Sequence, residues 1–271
     1  MFKIAIHSVP RSGSTWLGEI FNSSHNTKYC FQPLFSYKFK DFLSPTSTKV
    51  EVNTFFKQLA QTTDGFILQK EQRSVGTLPT FSDGEISHVV YKEVRYHHIL
   101  KNLCNLQSGI KLVLLIRNPI AVMNSWVNSP KEFNPSWNID EELLFAPKKN
   151  LSRKEESYGL QAWIDTTKLF EYLAATFPND VILIRYSDLK GNTVQTTKTL
   201  FDFCHLTYDE PTETFLDKSQ TTFVSGTYSV FRGGNSSAIN LTTHQIQTIQ
   251  ALVIKHGLGK YLSHESQSSS K

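Results

Sequence analysis

Cysteine is scarce in this sequence, with three residues in a chain of 271. Cys30, Cys104 and Cys204 are odd in number, widely spaced and without a Cys-x-x-Cys pair. The sequence therefore predicts neither a disulfide framework nor a zinc site. Because disulfide-poor chains are typical of reducing compartments, we expect a cytoplasmic protein.

Long apolar runs and a strong excess of charge are also missing. No run reaches the roughly 18 apolar residues that a membrane helix needs. Residues 1–9 hold one lysine and a short apolar run, so we expect no cleavable signal and no stable membrane insertion. The formal net charge of +4 favours anionic ligands but is too small to indicate nucleic-acid binding.

The composition is that of a folded globule, with 39% hydrophobic and 12% aromatic residues. Apolar runs of strand length alternate with helical segments, which predicts an α/β fold of the three-layer P-loop type, with a central, mostly parallel sheet flanked by helices. The predicted strands cover residues 2–7, 65–70, 88–94, 111–117 and 181–186. The predicted helices cover residues 15–21, 119–127, 158–176 and 240–254.

We expect one domain over residues 1–262, followed by a flexible tail over residues 263–271. Between residues 129 and 156 the periodic pattern gives way to Pro, Asn, Lys and Glu. This insertion is a candidate lid or acceptor-binding segment. In a parallel sheet, ligands bind at the carboxyl ends of the strands, and the motifs below follow predicted strands.

The first motif is the run Pro-Arg-Ser-Gly-Ser-Thr-Trp-Leu at residues 10–17, between a predicted strand and a predicted helix. In that position backbone NH groups and the helix dipole can hold an anion. Gly13 lets the backbone approach closely, and Ser14 and Thr15 add hydroxyl donors. An ordinary strand-to-helix turn is the alternative. No lysine follows the glycine, unlike in the magnesium-dependent nucleotide-triphosphatase loop.

This loop resembles the 5'-phosphosulfate loop of sulfotransferases that use 3'-phosphoadenosine 5'-phosphosulfate (PAPS). Its arginine form is typical of carbohydrate and tyrosyl-protein sulfotransferases. Arg11 would then stabilise the negative charge that grows on the oxygen bridging sulfur and the leaving phosphate. The resemblance implies that the following residues bind the donor: Arg11, Ser12, Gly13, Ser14, Thr15 and Trp16.

The second motif is Arg-Asn-Pro-Ile-Ala-Val-Met-Asn-Ser at residues 117–125, which resembles the 3'-phosphate motif of the same family. Pro119 begins a helix, so Ser125 falls on its second turn with its hydroxyl able to face Arg117. The resemblance implies that Arg117 and Ser125 bind the 3'-phosphate. A kinase that uses ATP and magnesium would need an aspartate near this strand end.

Two later segments agree with the family pattern. The run Arg-Tyr-Ser-Asp-Leu at residues 185–189 resembles a segment whose tyrosine lies near the nucleotide, which implies a role for Tyr186; a buried tyrosine that ends a strand is the alternative. The run Phe-Arg-Gly-Gly at residues 231–234 resembles the late Arg-Lys-Gly loop, which implies that Arg232 and Gly233 bind the 3'-phosphate.

Transfer to a hydroxyl needs a general base within hydrogen-bond reach of the acceptor. In cytosolic members of the family, a histidine before the Arg117 strand is the base, and the candidates in this sequence are Glu93, His97 and His98. A solvated strand edge and a polar helix start are the alternatives. We expect Glu93 to be the catalytic base, with His97 second. Lys92 and Arg95 could neutralise the transferring sulfonate.

A further candidate position is Gln32, in the run Phe-Gln-Pro-Leu at residues 31–34. This run resembles a Phe-Glu-Pro-Leu segment of carbohydrate sulfotransferases. Because glutamine cannot act as a base, the family's carboxylate is missing at this position.

The sequence thus predicts a metal-independent sulfotransferase that moves a sulfuryl group from PAPS to a hydroxyl or amine of a carbohydrate or small molecule. A P-loop kinase using ATP and magnesium is one alternative, and a non-catalytic adaptor with the same fold is another. Four aromatic residues could stack on a sugar or phenol, or belong to the core: Trp126, Phe133, Trp137 and Phe145.

Overall fold

The structure is a computed structural model that describes residues 1–81, 84–224, 230–231 and 238–262. Within these residues five strands form one sheet in the order β2-β3-β1-β4-β5. Every pair is parallel, so the carboxyl ends of the strands meet along one edge, called the carboxyl edge below. The bounds are β1 Phe2–His7, β2 Thr27–Phe31, β3 His88–Glu93, β4 Ile110–Ile116 and β5 Val181–Arg185.

Helices connect the strands and cover both faces of the sheet. No helix within the described ranges is long and apolar enough to cross a membrane. Short 3-10 turns lie at Pro33–Phe35, His97–Ile99 and Gly259–Tyr261. The α-helices are α1 Ser14–Asn22, α2 Lys49–Ala60, α3 Lys70–Ser74, α4 Leu100–Asn105, α5 Pro119–Val127, α6 Ile139–Glu142, α7 Pro147–Asn150, α8 Leu160–Thr176, α9 Tyr186–Gly191, α10 Thr193–Cys204, α11 Glu210–Thr221 and α12 Thr243–Lys255.

The alternation of side chains along β1 divides the core into two layers. Ala5 packs on the face covered by α2, α4, α5, α8 and α12. Ile4 and Ile6 pack on the opposite face, against α1, α10 and α11. The three-layer α/β fold predicted from the sequence is therefore confirmed.

The strands and helices that carry the first two motifs lie close to their predicted positions. β1 covers the predicted residues, and β4 ends one residue before Arg117. β5 ends at Arg185, so Tyr186 begins α9 instead of finishing the strand. The predicted helix at residues 240–254 begins later, because Thr242 is the N-cap and forms a capping box with Gln245.

Two sequence-based assignments near β2 are wrong. The predicted strand at residues 65–70 is a series of turns that leads into α3. Asp64 favours this turn because its carboxylate accepts a hydrogen bond from the backbone NH of Ile67 at 2.9 Å. The edge strand β2 was not predicted, since it is short and begins with the polar residues Thr27 and Lys28.

Candidate functional site

The loop between β1 and α1 lies at the carboxyl edge of the central strand. Its backbone reverses through left-handed conformations at Arg11 (φ 68°) and Gly13 (φ 90°). Glycine is required at position 13, because a Cβ there would lie 2.4 Å from the ring carbon Cε2 of Tyr186. Ser12 is fully buried, and its hydroxyl has no hydrogen-bond partner within the described residues.

The rest of the predicted phosphate loop forms the first turn of α1. Ser14 is buried and Thr15 is partly exposed. Trp16 donates a hydrogen bond from Nε1 to the Ser219 hydroxyl at 2.9 Å, and its ring centroid lies 6.1 Å from that of Tyr186. The NH groups of this turn lack partners in the preceding turn of helix, so the loop can hold an anion.

The second motif reaches the same loop from β4 and α5. Asn118 caps α5 by accepting hydrogen bonds from the NH groups of the next turn, and Pro119 occupies the first helical position. Arg117 donates from Nη1 to the carbonyl oxygen of Arg11 at 3.2 Å. Its guanidinium carbon lies 4.5 Å from the ring centroid of Tyr186. Arg11 in turn donates from Nε to the hydroxyl of Ser125 at 3.2 Å.

Four residues predicted from three motifs thus form one connected group, called the donor cluster below after its predicted ligand: Arg11, Arg117, Ser125 and Tyr186. Two guanidinium groups beside the first turn of a helix could hold phosphate groups through charge-assisted hydrogen bonds. The predicted phosphate ligands Arg232 and Gly233, and the tail at residues 263–271, lie outside the described residues.

Glu93 ends β3 beside the phosphate loop, since its carbonyl oxygen accepts a hydrogen bond from the NH of Ser8 at 3.3 Å. The side chain is fully buried. Its Oε1 accepts a hydrogen bond from the NH of Leu34 at 2.8 Å, and Oε2 has no partner within the described residues. Burial raises the pKa of Glu93 above its usual range, and the Leu34 hydrogen bond and the charge of Lys92 oppose this rise.

Lys92 points to the other face of β3, and it is buried too, so neither residue belongs to a solvated strand edge. Its ammonium nitrogen lies 4.0 Å from the ring centroid of Phe31. Burial lowers the pKa of Lys92, an effect that Glu93 opposes and Arg95 and Arg11 reinforce. Lys92 pairs with Ile6 of β1, the strand that leads into the predicted phosphate loop.

His97 is buried as well, beside His7 and Phe170. Its Nδ1 is 3.2 Å from Nδ1 of His7, and its ring packs edge-on against Phe170. Burial lowers the pKa of His97 to about 3, so the ring is neutral over the whole physiological range. His98 is exposed. Because burial lowers the pKa of His97 and raises that of Glu93, the Glu93 carboxylate would be the stronger base of the two.

Arg95 joins three parts of the chain at the carboxyl edge. It is buried, and it donates from Nη1 to Oε1 of Gln32 at 2.7 Å and from Nε to Oε2 of Glu156 at 2.9 Å. These three residues are called the edge network below. Arg95 is thus held within the protein framework, and its predicted role in neutralising the sulfonate has less geometric support than that of Lys92.

Two of the four aromatic candidates for acceptor stacking belong to the core, since Trp126 and Phe133 are buried and pack against each other. Trp137 is partly buried against the same cluster, and Phe145 is exposed. The half-exposed rings near Glu93 are instead Phe35 and Phe66, whose centroids lie 6.3 Å apart.

The sequence singled out Gln32 and Arg95 but offered no signal for Glu156, the third residue of the edge network, or for these two rings. Phe35 stacks on the guanidinium of Arg95 at 4.2 Å. Glu156 is 61 positions from Arg95 and sits at the end of the insertion. Within the described ranges, no group of three or more His, Cys, Asp or Glu side chains is placed to hold a metal ion.

Comparison with known proteins extends these observations. A family profile described as a sulfotransferase domain matches residues 2–233. A search among curated sequences found no significant match. Among solved structures, mouse sulfotransferase SULT7A1 complexed with PAP is similar at a TM-score of 0.57 and 15% identity, over 96% of this chain and 87% of the mouse chain. PAP is the desulfated form of PAPS.

A sulfotransferase from Alicyclobacillus acidocaldarius is similar at a TM-score of 0.55 and 12% identity, over 99% of this chain and 98% of the other. The sulfotransferase domain of the Synechococcus PCC 7002 olefin synthase gives a TM-score of 0.50 at 16% identity, over 93% of this chain and 94% of the domain. At 12–16% sequence identity, these structural similarities support the assignment of the fold.

Proposed function

This chain belongs to the PAPS-dependent sulfotransferase family, and we propose that it transfers the sulfuryl group of PAPS to a hydroxyl or amine of a carbohydrate or small molecule by in-line displacement. The observation that carries the proposal is the donor cluster. It brings Arg11, Arg117 and Ser125, from two motifs 106 or more positions apart, to one side of the phosphate loop.

The donor fits the residues around the loop. The buried hydroxyl of Ser12 has no partner within the described residues, and a phosphate oxygen would supply one. Arg117 and Ser125 would hold the 3'-phosphate, while the NH groups of Ser14 and Thr15 would hold the 5'-phosphate. Arg232 and Gly233 stay predicted 3'-phosphate ligands.

Arg11 would act on the leaving group. Negative charge grows on the oxygen between sulfur and the 5'-phosphate as the bond breaks, and a fixed cation lowers the energy of that state. Arginine keeps its proton at neutral pH. This suits a leaving phosphate, which needs no proton there.

Glu93 would take the acceptor proton. In the proposed step the acceptor O–H proton moves to the carboxylate while an oxygen lone pair forms the new O–S bond. The bond from sulfur to the phosphate oxygen breaks, and its electron pair stays on the phosphate to give PAP. A carboxylate whose pKa is raised by burial is a stronger base than an exposed one. His97 is the second candidate.

The acceptor would lie on the β2–β3 side of the loop. Phe35 and Phe66 offer half-exposed rings there, and a flat phenol or the apolar face of a sugar can stack on such rings. Lys92 would face the transferring sulfonate. We propose one domain over residues 1–262, with residues 129–156 as an insertion beside the acceptor.

A cytoplasmic location stays part of the proposal, supported by three cysteines that are free and buried. Transfer should need no metal, and a chelator should leave the rate unchanged. Strict dependence on magnesium would favour a kinase.

The deciding experiment is calorimetric titration with PAP in the presence of a chelator, alongside ATP with magnesium. We expect PAP to bind without metal and ATP with magnesium to bind far more weakly. Labelled PAPS with 2-naphthol and with N-acetylglucosamine then distinguishes a phenolic from a sugar acceptor. Binding of ATP with magnesium but not of PAP would refute the assignment.

A further inference from the structure

Arg95 occupies an unusual place for a charged residue, two positions beyond the end of β3 and almost fully buried. Its two hydrogen-bond partners come from opposite directions along the chain, Gln32 at 63 positions and Glu156 at 61 positions. Its guanidinium also stacks on Phe35 at 4.2 Å and lies 5.8 Å from the ring of Tyr158. One side chain therefore links β3, the turn after β2 and the end of the insertion.

The first link controls the surroundings of Glu93. Gln32 adopts a left-handed backbone conformation (φ 41°), and its carbonyl oxygen accepts hydrogen bonds from the NH groups of Phe35 and Ser36, both at 3.2 Å. This turn presents the NH of Leu34 to Oε1 of Glu93. Because Arg95 holds the side chain of Gln32 and the ring of Phe35, it holds the turn that orients the carboxylate.

The second link fastens the insertion. The NH of Tyr96 donates to the carbonyl oxygen of Glu155 at 3.2 Å, next to the pairing of Arg95 with Glu156. Further in, Glu132 accepts hydrogen bonds from the hydroxyl of Tyr158 at 2.8 Å and from Lys149 at 2.6 Å. The insertion is thus joined to the carboxyl edge by buried polar contacts.

We propose that Arg95 is a positioning residue that sets the acceptor side of the site, with Gln32 and Glu156 as its two anchors, and that the insertion is a fixed wall of that site and not a mobile lid. This inference rests on the proposed function, because it assigns the wall to the acceptor of sulfuryl transfer. It concerns Phe35, on which Arg95 stacks, and Glu93, which Arg95 affects through the turn that begins at Gln32.

The planar guanidinium suits this task, since it offers donors at fixed angles to two partners at once, which an ammonium group does not. Removing one partner leaves a buried charge without its counterion, so the turn and the insertion should both loosen. A displacement of about 1 Å at a reacting group can lower the rate by roughly 100-fold. The two hydrogen-bond partners of Arg95 described above, Gln32 and Glu156, lie outside the donor cluster, so we expect donor affinity to be preserved.

The test compares Glu156→Gln with Glu141→Gln. Glu141 also lies in the insertion and pairs with Lys148 at 2.9 Å, the same distance as Glu156 from Arg95, but its side chain is exposed. The first measurement is hydrogen exchange of the backbone amides at residues 33–36 and 155–158 without ligand. The second is kcat/KM for 2-naphthol with saturating PAPS, together with the affinity for PAP.

We expect Glu156→Gln to speed exchange in both segments and to lower kcat/KM for the acceptor by about 10- to 100-fold, with PAP affinity within about twofold of wild type. Glu141→Gln should match wild type in every measurement. If Glu156→Gln also matches wild type in exchange and in kcat/KM, the inference fails. Failure of the wild type to bind PAP would instead overturn the proposed function. Hydrogen exchange alone would then show whether the pairing of Arg95 with Glu156 holds residues 33–36 and 155–158 in place.

A double variant covers the case in which Glu156→Gln does not fold. Gln32→Glu combined with Glu156→Gln moves the carboxylate to the other side of Arg95, and it preserves the net charge and one acceptor oxygen at each position. We expect the double variant to fold and to recover kcat/KM to within about fivefold of wild type. If kcat/KM of the double variant is no higher than that of Glu156→Gln, the result would contradict the proposed anchoring of Arg95 by Gln32 and Glu156.

Discussion

The carboxyl edge has two parts that are built in different ways: the proposed donor side, at the phosphate loop and the donor cluster, and the proposed acceptor side, around Glu93 and the edge network. On the donor side, the phosphate loop is a continuous run of chain, and its main partners, Arg117 and Ser125, lie within one strand-to-helix connection. On the acceptor side, a turn 59 positions away orients Glu93, and an insertion holds the neighbouring Arg95 through Glu156. Both sides depend on tertiary contacts, but those of the donor side join two short motifs on the neighbouring strands β1 and β4, whereas those of the acceptor side include an insertion without a periodic pattern.

The difference extends to electrostatics. The donor side presents two guanidinium groups to the first turn of α1, whose NH groups have no preceding turn of helix to pair with, and both features favour an anion in the ground state. The acceptor side buries a carboxylate whose pKa is raised. Changes on the donor side should therefore affect binding or the leaving group, whereas changes on the acceptor side should affect proton transfer.

The largest effect is expected for Glu93→Gln, which keeps the size of the side chain but removes the base. Turnover should fall by about 10²- to 10⁴-fold, measured by single-turnover transfer from labelled PAPS. In the wild type, the rate should rise as the pH increases through the raised pKa of about 8, because only the deprotonated carboxylate accepts a proton. This rise of the rate with pH should be absent in Glu93→Gln.

The same pH profile separates Glu93 from His97. Burial lowers the pKa of His97 to about 3, so a histidine base would already be deprotonated and the rate would be flat between about pH 5 and pH 9. A flat profile with full activity in Glu93→Gln would transfer the catalytic role to His97.

The next largest effect is expected for Arg11, which links the donor side to the chemical step. Arg11→Ala should lower turnover by about 10²- to 10³-fold, as for loss of one preorganised donor, while PAP, which lacks the sulfonate, should still bind. Arg11→Lys should recover part of the rate, since lysine supplies a charge without the planar fork. Wild-type single-turnover rates in both variants would make Arg11 a structural loop residue.

The placement of Arg11, Arg117 and Ser125 at the carboxyl edge was predictable because the motifs that carry them are short in sequence. A strand followed by a serine- and glycine-rich turn fixes the phosphate loop, and Pro119 places Ser125 on the second turn of α5. The sequence did not predict the contact between Arg11 and Ser125, because it depends on how β1 and β4 lie side by side in the sheet.

The acceptor side was predictable only in part. The sequence favours Glu93 for its place before the Arg117 strand, where the resembling family has its base, and for its chemistry. Its burial, however, follows from the turn after β2, a strand that the sequence did not reveal. The pairing of Arg95 with Glu156 had no signal, because the insertion lacks periodicity. The core positions of Trp126, on α5, and Phe133, in the insertion, could not be distinguished from stacking positions, because the direction that an aromatic ring faces depends on tertiary packing.

The contrast between the two sides is tested most directly by calorimetric titration of PAP into Arg117→Ala and Glu93→Gln, without metal. Arg185→Ala is the matched control, because Arg185 ends β5 opposite Ile116, next to Arg117 along the edge, and stacks on Tyr261 at 5.2 Å. We expect Arg117→Ala to weaken PAP binding by about 10- to 100-fold, the loss of a charge-assisted hydrogen bond, with the other two variants within about twofold of wild type. Unchanged affinity in Arg117→Ala, or a comparable loss in Glu93→Gln, would contradict the division into a donor side and an acceptor side.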